Sequence, residues 1–226
     1  MADSAFKDRI KGLSYLGAKA LFWPVLKAYM TVKVRGGGRV PRRGGFLLAA
    51  NHFSFVDPLL LGSFLRRRLW FIMAEDQFEK PVVKTFSRLM DVIPVKAGAA
   101  FRLAPIKRSL TLLKRGRAVA IFPEGRRSHT GKLLPAQPGL GVIASRAGVP
   151  IVPVAIVGTR ECYPIGRTVP KPGSVTLYVG DPLTPNEGET PEDVGRRVMM
   201  SLAALLRDNG HEDYVDEAAL FPAAGA

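Results

Sequence analysis

Short apolar runs that stop at polar, chemistry-bearing residues alternate along this chain with longer stretches of helical periodicity. That alternation limits the fold more than any other feature. Beyond the turn-forming Gly36-Gly37-Gly38 and Pro41-Arg42-Arg43-Gly44-Gly45, strands are expected over 46–50, 69–74, 92–95, 118–122, 151–157 and 175–179. Helices are expected over 58–65, 77–89, 99–115, 140–147 and 191–206. The pattern predicts a single α/β domain over residues 36–226, with a mixed, partly parallel sheet flanked by helices. A chain of 226 residues is long enough for one such core. The Pro- and Gly-rich stretch 163–173 reads as a surface loop.

Residues 1–35 are expected to form a separate amphipathic, membrane-docking helical segment. Phe6, Ile10, Leu13, Ala20 and Leu21 recur near helical spacing, with Lys7, Lys11, Lys19 and Lys27 between them. Phe22, Trp23 and Tyr29 suit the headgroup level of a bilayer, and Pro24 should kink or split the helix. The same pattern also fits a helix packed on its own domain. No run reaches the roughly 18 apolar residues of a spanning helix. Asp3 and Asp8 stand where a signal peptide would be basic. With one cysteine, Cys162, and hence no internal disulfide, these features predict a protein at the cytoplasmic face of a membrane, peripheral or monotopic. Cys162 has no nucleophile signature around it.

The formal net charge of +14 is unevenly spread. Residues 1–45 carry ten Lys and Arg against two Asp and Glu, residues 46–180 twenty against seven, and residues 181–226 three against ten. Such a body is drawn to anionic partners: lipid headgroups, nucleic acid or a phosphorylated cosubstrate.

The run Phe46–Ala50 ends in Asn51-His52, and Asp57-Pro58 follows. Five residues turn a helix through about 500°, so His52 and Asp57 cannot share a helical face. They meet if His52 lies in the loop leaving a strand and Asp57 starts the next helix, with Asp57 as N-cap and Pro58 at N1. A carboxylate there would fix the imidazole's tautomer and leave its other nitrogen free as a base, with no Ser or Cys nucleophile alongside. A helix-capping Asp near an ordinary loop His explains the spacing equally well.

A second apolar run, from Ala118 to Phe122, ends in Pro123-Glu124-Gly125-Arg126-Arg127-Ser128. Strand ends of open α/β sheets are where ligand crevices lie. Gly125 permits a tight turn, Arg126 and Arg127 offer forks for a phosphate, and Glu124 could orient an arginine or a substrate hydroxyl.

Together the two motifs resemble the glycerolipid acyltransferase family, in particular its 1-acyl-glycerol-3-phosphate acyltransferases. Ile93-Pro94-Val95-Lys96 and Val149-Pro150-Ile151-Val152-Pro153-Val154 resemble two further blocks of the family, so the likeness spans roughly 46–160. It implies transfer of a fatty acyl group from an acyl-CoA or acyl carrier protein thioester to a lysophospholipid hydroxyl, in phospholipid biosynthesis. It implies His52 as base, Asp57 as its orienter, and Glu124, Gly125 and Arg127 on the acceptor's glycerol phosphate. Arg126, Lys96 and Asn51 are placed with them as substrate-binding residues. No cofactor and no metal are expected, and the partners are the lysolipid, the thioester and an anionic membrane surface met by residues 1–30, not nucleic acid. Arg126 stands where the family more often has Thr, and Gln137 and Glu75 where a basic residue is usual. Another lysophospholipid or glycerol 3-phosphate is therefore an alternative acceptor.

Other motifs are weaker. Gly139-Leu140-Gly141-Val142-Ile143-Ala144 matches a dinucleotide pattern with no strand before it, Gly131-Lys132 lacks the rest of a P-loop, and no G-x-S-x-G elbow occurs. The rival classes are a basic module binding anionic membranes or nucleic acid, and a thioesterase that uses water as acceptor.

Overall fold

The structure, a computed structural model, describes residues 2–75, 87, 90–95, 103–167 and 169–221, with side chains from residue 11 onward. A 28-residue helix, α1 (Ala2–Tyr29), leads directly into β1 (Met30–Arg35). There follow β2 (Phe46–Ala50), α2 (Asp57–Phe64), β3 (Leu69–Ala74), β4 (Asp91–Val95), α3 (Leu103–Lys114) and β5 (Ala118–Ile121). The chain continues through α4 (Pro138–Ala147), β6 (Ile151–Val157), the short α5 (Thr159–Cys162), β7 (Gly173–Val179), α6 (Pro191–Arg207) and α7 (Glu217–Leu220).

The strands form one sheet in the order β1-β7-β6-β2-β5-β3-β4, parallel throughout except where β6 meets β7. This is the expected mixed sheet. β2 sits at its centre, so both faces of its run are covered. Phe46, Leu48 and Ala50 join the core on the side of α1 and α2, while Leu47 and Ala49 join the core beneath α3, α4 and α6. A strand buried on both sides reads as an unbroken apolar run. Burying each large side chain of this kind contributes roughly 1.5–3 kcal/mol.

The six expected strands end within two residues of their expected limits. β1 was not expected. Residues 1–35 are therefore not a purely helical segment, because 30–35 pair with β7 as the sheet's edge. The expected helix over 77–89 lies outside the described residues, as does the stretch before Leu103 of the one expected over 99–115.

One side of α1 packs on the domain, as the second reading of its sequence expects. Tyr15, Ala18 and Leu26 are buried against the core, and Tyr15 Oη donates to Gly62 O of α2 at 3.3 Å. Lys19 Nζ donates to Leu65 O at 2.6 Å. The other side of the helix leaves Leu13, Leu16, Leu21 and Val25 more than half exposed. Pro24 does not split the helix. Pro24 and Ala20, whose carbonyl loses its partner, both lie on the exposed side, where the freed carbonyl can be solvated.

Candidate active site

Parallel β2, β5 and β6 bring their carboxyl ends to one rim, and every expected site residue in the described chain lies there. Register explains the meeting. Ala49 pairs with Ile121 on one side and Ala50 with Val154 on the other, so the residues that next leave β2 and β5 are neighbours.

Asn51 is fully buried. Its Nδ2 donates to Ile156 O at 2.9 Å and its Oδ1 accepts from Ile156 N at 2.6 Å, extending the β2–β6 ladder by one side-chain rung. Both ends of the amide are occupied by the backbone, which corrects its expected place at the substrate.

His52 Nδ1 and Asp57 Oδ2 are 2.8 Å apart, with the imidazole 17% exposed and the carboxylate fully buried. The ring stacks on Phe122, centroids 4.0 Å apart and planes 19° from parallel. Asp57 Oδ2 also accepts from Phe53 N at 2.8 Å and Ser54 N at 2.7 Å. Val56 is the N-cap of α2, so Asp57 stands at N1 rather than at the cap. Its carboxylate turns back onto the loop before the helix, and the expected double role of cap and orienter becomes orienter and loop clasp. A carboxylate in the first turn still faces the positive end of the helix dipole. Among the described residues His52 Nε2 has no hydrogen-bond partner, and no Ser, Thr or Cys reaches it. Ser54 Oγ donates to Tyr163 O, Ser128 Oγ meets Thr130 Oγ1, and Cys162 is buried with its thiol pushed up by desolvation.

Glu124 is 1% exposed. Oε1 accepts from His52 N at 2.8 Å and Oε2 from Leu134 N at 3.3 Å. Burial pushes its carboxyl up to about 8, against the pull of those two amides. Gly125 turns the chain at φ +68°, and its N–H closes the turn onto Phe122 O at 3.0 Å. A Cβ there would lie 2.8 Å from Gln137 Cγ, so Gln137 packs against the bare glycine. Arg126 is exposed and Arg127 half-buried, with the Arg127 guanidinium 5.9 Å from the centre of the Phe55 ring. Neither makes an ion pair with a described acid. Lys96 lies outside the described residues.

Three parts of the site went unread in the sequence: the Phe122 platform, the Leu134 amide, and the bond from Ser128 N to His52 O at 2.9 Å that ties the arginine loop to the histidine turn. Only Phe122 left a signal, as the last aromatic of an apolar run paired with β2. No group of three or more His, Cys, Asp or Glu suited to a metal occurs among the described residues.

Fold and site define an α/β domain that carries, at one rim of its sheet, a carboxylate-oriented histidine and two arginines with no ion-pair partner among the described residues. The chain belongs to the Acyltransferase family, whose model matches residues 31–157, more than half of its length. It is 31% identical over 156 residues to a 1-acyl-sn-glycerol-3-phosphate acyltransferase of Bacillus subtilis, a match covering 67% of this chain and 73% of that one. A chloroplastic 1-acyl-sn-glycerol-3-phosphate acyltransferase of Brassica napus is 35% identical over 141 residues, 59% of this chain and 39% of the plant protein. The match thus takes in about two fifths of the plant relative's length. The crystal structure of the 1-acyl-sn-glycerophosphate acyltransferase of Thermotoga maritima superposes with a TM-score of 0.75 at 25% identity, covering 90% of this chain and 83% of that one.

Proposed function

We propose that this protein transfers a fatty acyl group from a thioester, acyl-CoA or acyl carrier protein, to the free hydroxyl of 1-acyl-glycerol-3-phosphate, giving phosphatidic acid. The observation that carries the reading is the state of His52: Nδ1 is fixed by buried Asp57, while Nε2 has neither a partner nor a nucleophile beside it among the described residues. With Nδ1–H donated to the carboxylate, Nε2 holds the lone pair of a base. It takes the proton of the acceptor hydroxyl as that oxygen attacks the thioester carbonyl carbon. The tetrahedral intermediate collapses with cleavage of the C–S bond, and the proton on His52 leaves with the thiolate sulfur. Gly125 makes the turn that presents the arginines, and Arg126 and Arg127, which have no acid partner among the described residues, take the acceptor's phosphate.

The outer face of α1, with Leu13, Leu16 and Leu21 exposed, supports peripheral docking at the cytoplasmic face of a membrane. No helix among the described residues is long and apolar enough to cross one. The 1-acyl-sn-glycerol-3-phosphate acyltransferases to which the chain is similar support the acceptor. Gln137 and Glu75, standing where cations are usual, support a test of other headgroups beside it. The experiment is a mass-spectrometric panel of lysolipid acceptors and glycerol 3-phosphate, each with an acyl-CoA and an acyl carrier protein donor. Phosphatidic acid as the dominant product is the expected outcome. Free fatty acid without any acylated lipid would replace this reading with a thioesterase.

A further inference from the structure

Three successive amides of the turn that carries the base, His52, Phe53 and Ser54, all donate to buried carboxylates. Asp57, from the helix ahead, takes the second and third, and Glu124, from the turn after the neighbouring strand β5, takes the first. We propose that Glu124 is a positioning residue, which fixes the root of the His52 side chain from the backbone and does not touch substrate.

The geometry separates the two roles. Each oxygen of Glu124 already accepts a main-chain N–H, and 99% of the residue is closed to solvent, so a glycerol hydroxyl or an arginine arriving from the crevice finds no carboxylate surface. What Glu124 joins are three pieces of chain with no contact in sequence: the turn after β2, the turn after β5, and Leu134 on the approach to α4. The next amide back, Leu133 N, is itself held by Tyr214 O at 2.8 Å. A side chain hanging from a backbone has three things to be fixed: its root, its tip and its ring plane. For His52 these are set respectively by Glu124, Asp57 and the Phe122 stack. Removing the first leaves the Nδ1 bond intact but lets the whole imidazole shift with its turn. Displacement of a reacting group by about 1 Å can cost on the order of 10²-fold in rate.

This inference rests on His52 acting as base, and its test keeps the two apart. Glu124→Gln and Glu124→Ala are compared with wild type for kcat, for KM toward the lysolipid, and for His52 itself by NMR, following its backbone amide shift and its imidazole titration. The expected result for Glu124→Gln is a loss of about 10- to 100-fold in kcat at unchanged acceptor KM, with the His52 amide moved and its titration shifted. Gln keeps one acceptor for His52 N but turns an NH₂ toward Leu134 N, so it should retain more activity than Ala. Measurements well below each variant's Tm keep loss of folded protein out of kcat. A tenfold or greater rise in acceptor KM at unchanged kcat would make Glu124 a substrate ligand and overturn the proposal. So would an unmoved His52 amide and titration in Glu124→Gln. Should Glu124→Ala fail to fold, Glu124→Gln alone decides. Should the wild type acylate no lysolipid, the proposed function falls, while the NMR arm still tests the clasp.

Discussion

His52 is held at its backbone, at Nδ1 and across its face, and among the described residues its Nε2 has no partner. Replacing it with alanine removes the base, its stack on Phe122 and one of the three donors to buried Asp57, which keeps the Phe53 and Ser54 amides. His52→Ala is expected to lower acyl transfer by on the order of 10²–10⁴ or more while the protein still folds, as read by product formation and by a cooperative thermal melt. Wild-type turnover in that variant would remove the mechanism. Arg127 has no acid partner among the described residues, and the proposed function gives it binding rather than proton transfer. Arg127→Ala should raise the KM for a phosphate-bearing acceptor by about 10- to 100-fold and leave kcat nearly unchanged. Glu124 makes a prediction about stability. Its folded carboxyl titrates near 8, raised by burial and by Asp57 and lowered by two amides and Arg126, from an ordinary value of 4.5. Between those two pH values the folded state holds a proton that the unfolded state has lost. This group therefore subtracts stability as pH rises from 4.5 to 8, and adds no further loss above that. The Tm of wild type relative to Glu124→Gln should fall across that window; a constant difference would show that the carboxyl titrates normally.

Between elements, the Asn51 amide replaces a rung of main-chain pairing between β2 and β6. Asn51→Ala leaves both polar groups of Ile156 buried without partners, at an expected cost of about 2–4 kcal/mol, measured by chemical denaturation. At this scale the sequence was legible wherever a strand is covered on both faces. β2, β5 and β6 announce themselves as apolar runs, and the rim chemistry follows from where the runs stop. β1 was missed although Val32 and Val34 alternate with exposed Thr31, Lys33 and Arg35, because its partner β7 begins at Gly173 and nothing local points to it. The site was legible as residues but not as roles. Spacing tells that Asn51, Asp57 and Glu124 stand at strand and helix ends; it cannot tell whether a polar side chain there faces the crevice or the next strand. Asn51 and Glu124 turn inward, and Asp57 turns back along its own loop.

For the whole molecule, α1 divides its surface between core and exterior, so simple removal of the helix would strip Tyr15 and Leu26 from the core along with the outer leucines. Leu13→Ser, Leu16→Ser and Leu21→Ser combined remove only the outer apolar face. That variant should keep its Tm and lose on the order of 10²-fold in partitioning onto anionic vesicles, measured by flotation. Undiminished binding would place docking elsewhere on this strongly basic protein, whose net charge is +14.

The pairing of β1 with β7 also sets an order of events during synthesis. Met30 must wait for Gly173, and Arg35 for Tyr178, before either can be zipped into the sheet. At ribosomal rates of about 5–20 residues per second, that gap of some 140 residues leaves β1 an unpaired edge for roughly 7–30 s. Throughout that interval α1 is already complete and precedes its domain out of the ribosome. The nascent chain therefore carries α1 and β1 out of the ribosome, with α2 and the β2-β5-β3-β4 part of the sheet following, well before the strand that holds β1 at the edge has been made.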